Sequence, residues 1–346
     1  MNTKEIIDNI EKMLTGDPQK DGPFLKDQSE KYRDSEESEE INRELARLLF
    51  EVAKKDHDKT LDAFLSQENP KVNEQIETVK KRYDNRNYSA GMKILEEIMK
   101  NNMFAWLDTN ECTYKSFGTP LEFMLYNQLY QPEKEVKPIT CNLAGVYWLY
   151  GHGLMKKKKY SRAKEMIERA TELNPVDPDA YIQLCEVLKY TKDTDELKEA
   201  CDKLLKCAVS KEQVGKAYFN YSFYFSEKQE LEKAAMMLEM SRIFYSSDIQ
   251  KTEYEYLSQM MGAAPPRHTS QELMNMMSAE NIQPGPSAAV VQTAYALAKE
   301  FETQLELSLA KYFYEIVFEL TEDSDTGDHI EAVSYTHLRA HETRSN

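Results

Sequence analysis

Small and apolar residues between Ala144 and Asp177 recur three to four positions apart, in two runs separated by the lysine-rich stretch 156–159. This spacing places each run on one face of a helix. Pro175 follows the second run and ends it, because proline has no backbone N–H with which to continue a helix. The recurring positions are Tyr147, Tyr150, Gly151 and Leu154 in the first run and Ala163, Ile167 and Ala170 in the second. The pattern predicts a helical hairpin of about 34 residues.

The same spacing returns along the chain, with a second copy from Pro178, a third from Gly215 and a weaker fourth near Val291. Their packing positions hold Tyr181, Leu184, Cys185, Leu188, Leu197, Cys201 and Leu204; Tyr218, Tyr221, Ser222, Phe225, Ala234, Leu238 and Ser241; and Ala294, Leu297, Ala298, Phe301, Ala310, Tyr314 and Val317. In period and in the placing of small residues, these hairpins resemble the tetratricopeptide repeat (TPR). The resemblance covers residues 144–248 and, more weakly, 291–322. It implies an all-α fold, a right-handed superhelical solenoid of TPR-like helical hairpins with an irregular helical N-terminal region.

The pattern predicts six segments along the chain. They are 1–68, irregular helices with an acidic segment; 69–135, a divergent helical hairpin and connector; 136–250, the TPR-like repeats; 251–290, a linker with a short helix; 291–323, the weak hairpin; and 324–346, a disordered tail. No run alternates apolar and polar residues for long enough to predict a sheet.

The last part of the tail, 333–346, begins with the sequence VSYTHLRAHET. These residues resemble the in-frame translation of a transposase-type sequencing adapter. We therefore expect the natural reading frame to run into foreign DNA near Ala332, and we exclude the final residues from reasoning about the fold. The alternative is a genuine polar tail, which would be disordered because it lacks apolar periodicity.

Composition narrows the class of protein. The chain has 44 Lys and Arg against 60 Asp and Glu, a formal net charge of −16. This charge disfavours nucleic acid as a partner, because a negative protein surface repels negative phosphate groups. No stretch approaches the roughly 20 apolar residues of a membrane span, and the N-terminus shows no secretory leader. The five cysteines have no CxxC spacing, so we expect reduced, mostly buried thiols and a cytoplasmic protein without membrane association.

Motifs for catalysis, metal binding or cofactor binding are missing from the sequence. The chain contains no phosphate-binding loop, no HExxH, no GxSxG, no EF-hand spacing and no paired Cys and His ligands. His57 and His268 have no nucleophile or second ligand beside them in sequence, and surface positions explain them better. We expect no enzyme activity, no cofactor and no metal.

The TPR resemblance itself implies where a partner would bind. In such arrays, positions 2, 5, 9 and 12 of each first helix line the concave groove. Those positions yield the candidate partner-groove residues Trp148, His152, Met155, Ile182, Glu186, Lys216, Phe219, Phe223 and Tyr295. Trp148, Phe219 and Phe223 suggest an apolar anchor site for a peptide or a partner helix. The alternative is that the N-terminal helices or the 263–286 segment cover these rings as ordinary core.

One known TPR specificity can be tested directly on the sequence. The chaperone-tail subset grips a terminal carboxylate with Lys and Asn in its first repeat, Asn in the second, and Lys and Arg in the third. The corresponding residues here are Trp148, His152, Gln183, Lys216 and Asn220, of which only Lys216 matches. A carboxylate clamp is not expected.

The expected function is that of a noncatalytic scaffold or adaptor that binds a protein or peptide segment in its groove. Within binding modules, the alternative is a ligand-responsive regulator in which a small peptide closes the superhelix. Two other classes remain open. One is a structural subunit of an assembly, and the other is an enzyme with its site in the N-terminal half, near His57. The sequence leaves the partner and the oligomeric state open.

Overall fold

The structure is a computed structural model of the 346-residue chain that describes residues 3–15, 18–32, 41, 44, 45, 48, 70–102, 108–139, 141–327, 329 and 330. It divides into two compact units, the first comprising 1–120 and 132–156 and the second 121–131 and 157–346. The boundary falls inside the first TPR-like copy. The adapter-like tail and His57 lie outside the described residues, so the predictions made for them remain predictions.

The first unit contains helices α1 (Thr3–Met13), α2 (Pro18–Lys31), α3 (Pro70–Asp84), α4 (Tyr88–Asn102) and α6 (Leu143–Lys156). The predicted divergent hairpin is α3 and α4, and α6 packs against α4. The Tyr83 hydroxyl donates to the Leu149 carbonyl (3.1 Å), and the Tyr150 hydroxyl donates to the Glu96 carboxylate (2.6 Å). Glycine is required at position 153, since a Cβ there would lie 2.5 Å from the Tyr83 hydroxyl.

The expectation that the chain forms no sheet was wrong. Two short parallel strands, β1 (Cys112–Lys115) and β2 (Glu135–Pro138), pair in the first unit with Cys112 opposite Glu135. The Asp108 carboxylate holds β1 by accepting from the Tyr114 N–H and the Thr113 hydroxyl, both at 2.8 Å. Strands this short are held by non-local backbone pairing, which leaves no long alternation in the sequence.

The second unit contains the other ten helices of the described chain. They are α5 (Pro120–Tyr130), α7 (Tyr160–Leu173), α8 (Pro178–Thr191), α9 (Thr194–Cys207), α10 (Lys211–Glu227), α11 (Leu231–Phe244), α12 (Asp248–Met261), α13 (Ser270–Ala279), α14 (Ala288–Thr303) and α15 (Leu307–Thr321). The first residue of α5, Pro120, is assigned to the first unit, and the rest of that helix to the second. From α7 to α12 each helix packs against the next one in sequence, and α8 also contacts α10. The predicted fold class, an all-α solenoid of TPR-like hairpins, is confirmed.

The turns inside four hairpins have the same backbone conformation and hydrogen-bond pattern. Arg86, Lys192, Gln229 and Leu305 all adopt a left-handed conformation, with φ between 58° and 63°. In each turn the following N–H bonds back to a carbonyl five residues earlier, as from Glu230 to Phe225 (2.9 Å). This is the Schellman pattern, which usually takes glycine. None of the four residues is glycine, so the residue type that usually marks this turn is absent from all four.

Capping and buried cysteines support the central hairpins. Asp177 caps α8 by accepting from the N–H groups of residues 179 and 180, and Ser210 caps α10 through the Gln213 N–H. All five cysteines are buried, among them Cys185 and Cys201, which were predicted as small buried residues, and the sulfurs of these two lie 3.8 Å apart between α8 and α9.

The segment predicted as a linker with one short helix holds two helices, α12 and α13. The prediction failed because α12 buries only Gln250 and Leu257, too few positions to show a helical period. Both helices begin with a capping box, Ser247 with Gln250 and Thr269 with Glu272, and this was the available sequence signal.

The last hairpin, α14 and α15, returns along the unit instead of continuing the array beyond α13. The Tyr218 hydroxyl donates to the Gln283 carbonyl (2.8 Å), and α14 packs on α9. The Thr293 hydroxyl donates to Gln128 of α5 (2.7 Å). The predicted fourth copy is therefore a helical hairpin, but its place beside α5 and α9 follows from long-range contacts. Within the described residues, no helix combines the length and apolar character needed to cross a membrane.

Candidate functional site

A pocket of about 220 Å³ opens between α8 and α10, the first helices of two successive hairpins, and α12, which packs on α11. Its walls are Ile182, Glu186, Lys216, Phe219, Asn220, Tyr245, Ser247, Ile249 and Gln250. We call this the three-helix pocket. Four of the nine are residues that the TPR resemblance assigned to a partner groove.

A buried hydrogen-bond network sets the floor of the three-helix pocket. The Ser241 hydroxyl donates to the Gly215 carbonyl (2.6 Å) and accepts from the Gln250 side-chain amide (2.6 Å). The Gln250 side-chain oxygen accepts from the Ser247 N–H (3.0 Å) and so caps α12. Gly215 is required, because a Cβ would lie 2.5 Å from the Cβ of Tyr245. The network fixes α12 against α10 and α11, and with it the Tyr245 and Ile249 walls.

The apolar wall is only partly covered by the protein. Ile182, Phe219 and Tyr245 are half-buried, and Ile249 leaves 68% of its surface in solvent. Burying an aliphatic or aromatic side chain is worth roughly 1.5–3 kcal/mol. Covering the exposed isoleucine and the three half-buried apolar groups with a partner would therefore be energetically favourable.

Lys189, one turn beyond Glu186 on α8, lies over two of the phenylalanine rings of α10, those of Phe219 and Phe223. Its ammonium is 5.6 Å from the ring centroids of Phe219 and of Phe223. It also donates to the Glu186 carboxylate and to the buried Asn220 side chain (3.0 Å). Lys189 thus covers one side of the rings that were predicted as apolar anchors. The 263–286 segment was the alternative cover for these rings. Its residues 283–285 form hydrogen bonds with Tyr218 and with the Leu205 carbonyl.

Glu253 lies on α12, one turn beyond Ile249 and Gln250. Its side-chain Oε1 is buried and has no hydrogen-bond partner. Burial raises the pKa of this carboxyl, and the positive charge of Lys189 only partly opposes the shift. The walls of the three-helix pocket do not include Lys189, Phe223 or Glu253, but Lys189 and Glu253 lie close enough for their charges to interact.

The remaining predicted groove residues lie elsewhere. Trp148, His152 and Met155 belong to the first unit, where all three are half-buried, and the His152 ring stacks on Tyr83 with the ring centroids 6.0 Å apart. Tyr295 lies on α14, near Tyr314 and Lys299, and is not part of the pocket wall. Their assignment to a partner groove remains a prediction.

Sequence reasoning missed the contribution of α12, because it treated this helix as part of a linker. The missed residues are Tyr245, Ser247, Ile249, Gln250 and Glu253. The capping box at Ser247 could have located the start of α12. The unpartnered state of Glu253 had no sequence signal, since it depends on what packs around the side chain.

A larger pocket, of about 410 Å³, lies between α11, α12 and the 265–267 segment, with Arg242, Tyr254 and Arg267 among its walls. Next to it, the buried His268 ring bonds to Glu239 through Nδ1 (3.0 Å), while its Nε2 has no partner. None of the predicted groove residues lines this pocket. In the described part of the chain, no group of three or more His, Cys, Asp and Glu residues could hold a metal ion.

Comparison with known proteins gives little further guidance. The chain matches no protein-family profile and no curated protein sequence. It is similar to a chain in a solved structure described as "Structure of Naa15/Naa10 bound to HypK-THB", with 15% sequence identity and a TM-score of 0.27. The match covers 75% of this chain and 38% of that chain. The residues of the three-helix pocket therefore provide the evidence on function.

Proposed function

We propose that this protein is a noncatalytic interaction module that binds a segment of a partner protein or peptide in the three-helix pocket. The exposed Ile249 beside the half-buried apolar wall is the observation that supports the proposal. A partner side chain that covers this wall would release ordered water and bury apolar area.

The size of the three-helix pocket favours a side chain as its occupant. Sites for cofactors and drug-sized ligands are usually about 300–1,000 Å³, whereas a cavity of about 150 Å³ already accommodates a benzene ring. At about 220 Å³ the pocket suits one or two anchoring side chains. Its walls come from two successive hairpins and from the start of α12, so a bound segment would cross the array and contact two repeats and α12.

The test pairs two exposed isoleucines that differ in position but not in chemistry. Ile249 lies in the pocket with 68% of its surface exposed, and Ile243 lies in the larger pocket on α11 with 64% exposed. Partners captured from a native lysate are identified by cross-linking mass spectrometry, and the affinity of each purified partner is measured for wild type, Ile249→Ala and Ile243→Ala.

We expect Ile249→Ala to weaken a genuine partner about tenfold, from about 1–2 kcal/mol of lost apolar contact. Ile243→Ala should bind like wild type. Both residues are exposed, so neither variant should change the melting temperature by more than a degree or two. Equal binding by all three proteins, or equal loss in both variants, would refute the proposal.

A further inference from the structure

The larger pocket, of about 410 Å³, is lined by two arginines, Arg242 of α11 and Arg267 of the segment before α13. Both side chains are exposed, so a ligand can contact them from solvent. Among the described residues, no carboxylate forms an ion pair with either guanidinium. Acidic residues outnumber basic ones in this chain by 60 to 44, so two arginines of one pocket without an acidic partner are a local exception.

The walls of the larger pocket carry a net positive charge. In the described chain, the charged residues that line it are Arg242, Arg267 and Glu239. The Glu239 carboxylate is already occupied, because it accepts from the His268 backbone N–H (3.3 Å) and bonds to Nδ1 of the His268 ring (3.0 Å). Charges more than about 8 Å away are largely screened at physiological ionic strength, so the two guanidiniums outweigh the net charge of −16 at this site.

Each arginine is held at the larger pocket by a different contact. The guanidinium carbon of Arg242 lies 5.9 Å from the ring centroid of Tyr254, a cation–π contact across the pocket wall. Arg267 is followed by His268, whose side chain is only 5% exposed and is bonded to Glu239 of α11. This bond ties the segment before α13 to α11. Two groups placed before the ligand arrives lose less entropy on binding.

The remaining walls of the larger pocket suit the body of a small molecule. Leu238, Pro265 and Pro266 are apolar, and the Tyr254 ring adds an aromatic surface. Sites for small molecules usually measure about 300–1,000 Å³, and the larger pocket lies within this range. The planar guanidinium of arginine matches the oxygens of a carboxylate or a phosphate and can donate two hydrogen bonds to them.

We infer that the larger pocket is a binding site for a small organic anion. Arg242 and Arg267 together hold its carboxylate or phosphate group, and Leu238, Tyr254 and Pro265 contact its apolar body. The larger pocket and the three-helix pocket share no wall residue. The inference therefore goes beyond the proposed function, and each of them can fail without the other.

The experiment measures the binding of four probes to the full-length protein by saturation-transfer NMR and isothermal titration calorimetry. Benzoate and phenyl phosphate carry the two anionic groups on the same ring. Benzamide is the neutral counterpart of benzoate, and inorganic phosphate lacks the apolar body. The proteins are wild type, Arg242→Gln, Arg267→Gln and Lys251→Gln. Lys251 is an exposed residue of α12 that does not line the larger pocket, so its replacement removes the same charge outside the site.

We expect benzoate or phenyl phosphate to bind wild type with a Kd of about 1 mM or below, and the tighter of the two identifies the preferred anionic group. Benzamide and inorganic phosphate should bind about tenfold more weakly than that probe, because each lacks one of the two recognised parts. Arg242→Gln and Arg267→Gln should each weaken the tighter probe about tenfold, since a charge-assisted hydrogen bond is lost. Lys251→Gln should change its Kd by less than about twofold.

Three results would overturn the inference. The first is that neither benzoate nor phenyl phosphate binds saturably. The second is that benzamide binds as tightly as benzoate and inorganic phosphate as tightly as phenyl phosphate. The third is that Lys251→Gln weakens the tighter probe as much as the arginine variants do, which would show attraction to general surface charge. All three variants change exposed side chains, so their melting temperatures should stay within about two degrees of wild type.

Discussion

Ser241→Ala should destabilise the second unit strongly although it removes a single oxygen atom. The hydroxyl of this fully buried residue satisfies the Gly215 carbonyl and the Gln250 amide, both at 2.6 Å. Alanine leaves the buried Gln250 donor unpaired, at about 1–3 kcal/mol, and removes a second hydrogen bond, worth about 0.5–1.5 kcal/mol, from the Gly215 carbonyl, which stays in the backbone ladder of α10. The better helix propensity of alanine returns about 0.5 kcal/mol. We expect a net loss of about 1–4 kcal/mol in the free energy of unfolding.

The assay is urea unfolding followed by circular dichroism at 222 nm, with amide hydrogen exchange to locate the effect. Exchange should accelerate in peptides covering 211–261 and stay unchanged in peptides covering 70–102, which belong to the first unit. The matched control is Ser258→Ala. That hydroxyl bonds only within its own helix, to the Tyr254 carbonyl (2.7 Å), so its loss should change stability by less than about 0.5 kcal/mol.

A double-mutant cycle separates the network from its parts. Gln250→Ala breaks the bond to Ser241 and also the cap on the Ser247 N–H, so the two single changes share one interaction. Their combined effect should be smaller than the sum by about 1–3 kcal/mol. A loss below about 1 kcal/mol for Ser241→Ala with an unchanged m-value, or strict additivity in the cycle, would refute the network as the support of α12.

Three further predictions follow from other contacts. Burial raises the pKa of the Glu253 carboxyl, so native stability falls as pH rises from the ordinary pKa of a glutamate to the raised one. Glu253→Gln should therefore melt higher than wild type at pH 7, with a gap that closes as pH falls, and a gap independent of pH would contradict this. Gly153→Ala places a methyl group against the Tyr83 hydroxyl and should cost about 1–3 kcal/mol in urea unfolding, whereas an unchanged midpoint would show that α3 yields freely. All five thiols are buried, and burial raises the pKa of Cys141 to about 12, so Ellman's reagent should label none within minutes in buffer and all five in denaturant; rapid labelling of the native protein would count against the packing.

The repeat hairpins could be predicted from sequence because each one is a local object. A helix needs only the right residues three and four positions apart, and a small residue such as Ala163 or Ala234 shows where a neighbouring helix approaches. The TPR resemblance implied that Ile182, Glu186, Lys216 and Phe219 line a groove, and the structure brings these four to one pocket.

The features that could not be predicted depend on packing contacts that leave no pattern in neighbouring residues. Most of helix α12 fell in the segment predicted as a linker, and the helix buries only two residues, so its part in the pocket was missed. Strands β1 and β2 pair across some twenty residues of intervening chain, a contact that no short window can contain.

The class of element, the hairpin period and the buried faces of the repeat helices depend on side chains a few residues apart, so they could be predicted before the fold was known. Folding places α14 and α15 against α5 and α9, sets Lys189 over the rings of Phe219 and Phe223, and leaves Oε1 of Glu253 without a hydrogen-bond partner. These three outcomes join groups that lie far apart along the chain or depend on everything packed around them. Burial, charge pairing and hydrogen-bond satisfaction are properties of groups that meet only after folding, and no local pattern records which groups will meet.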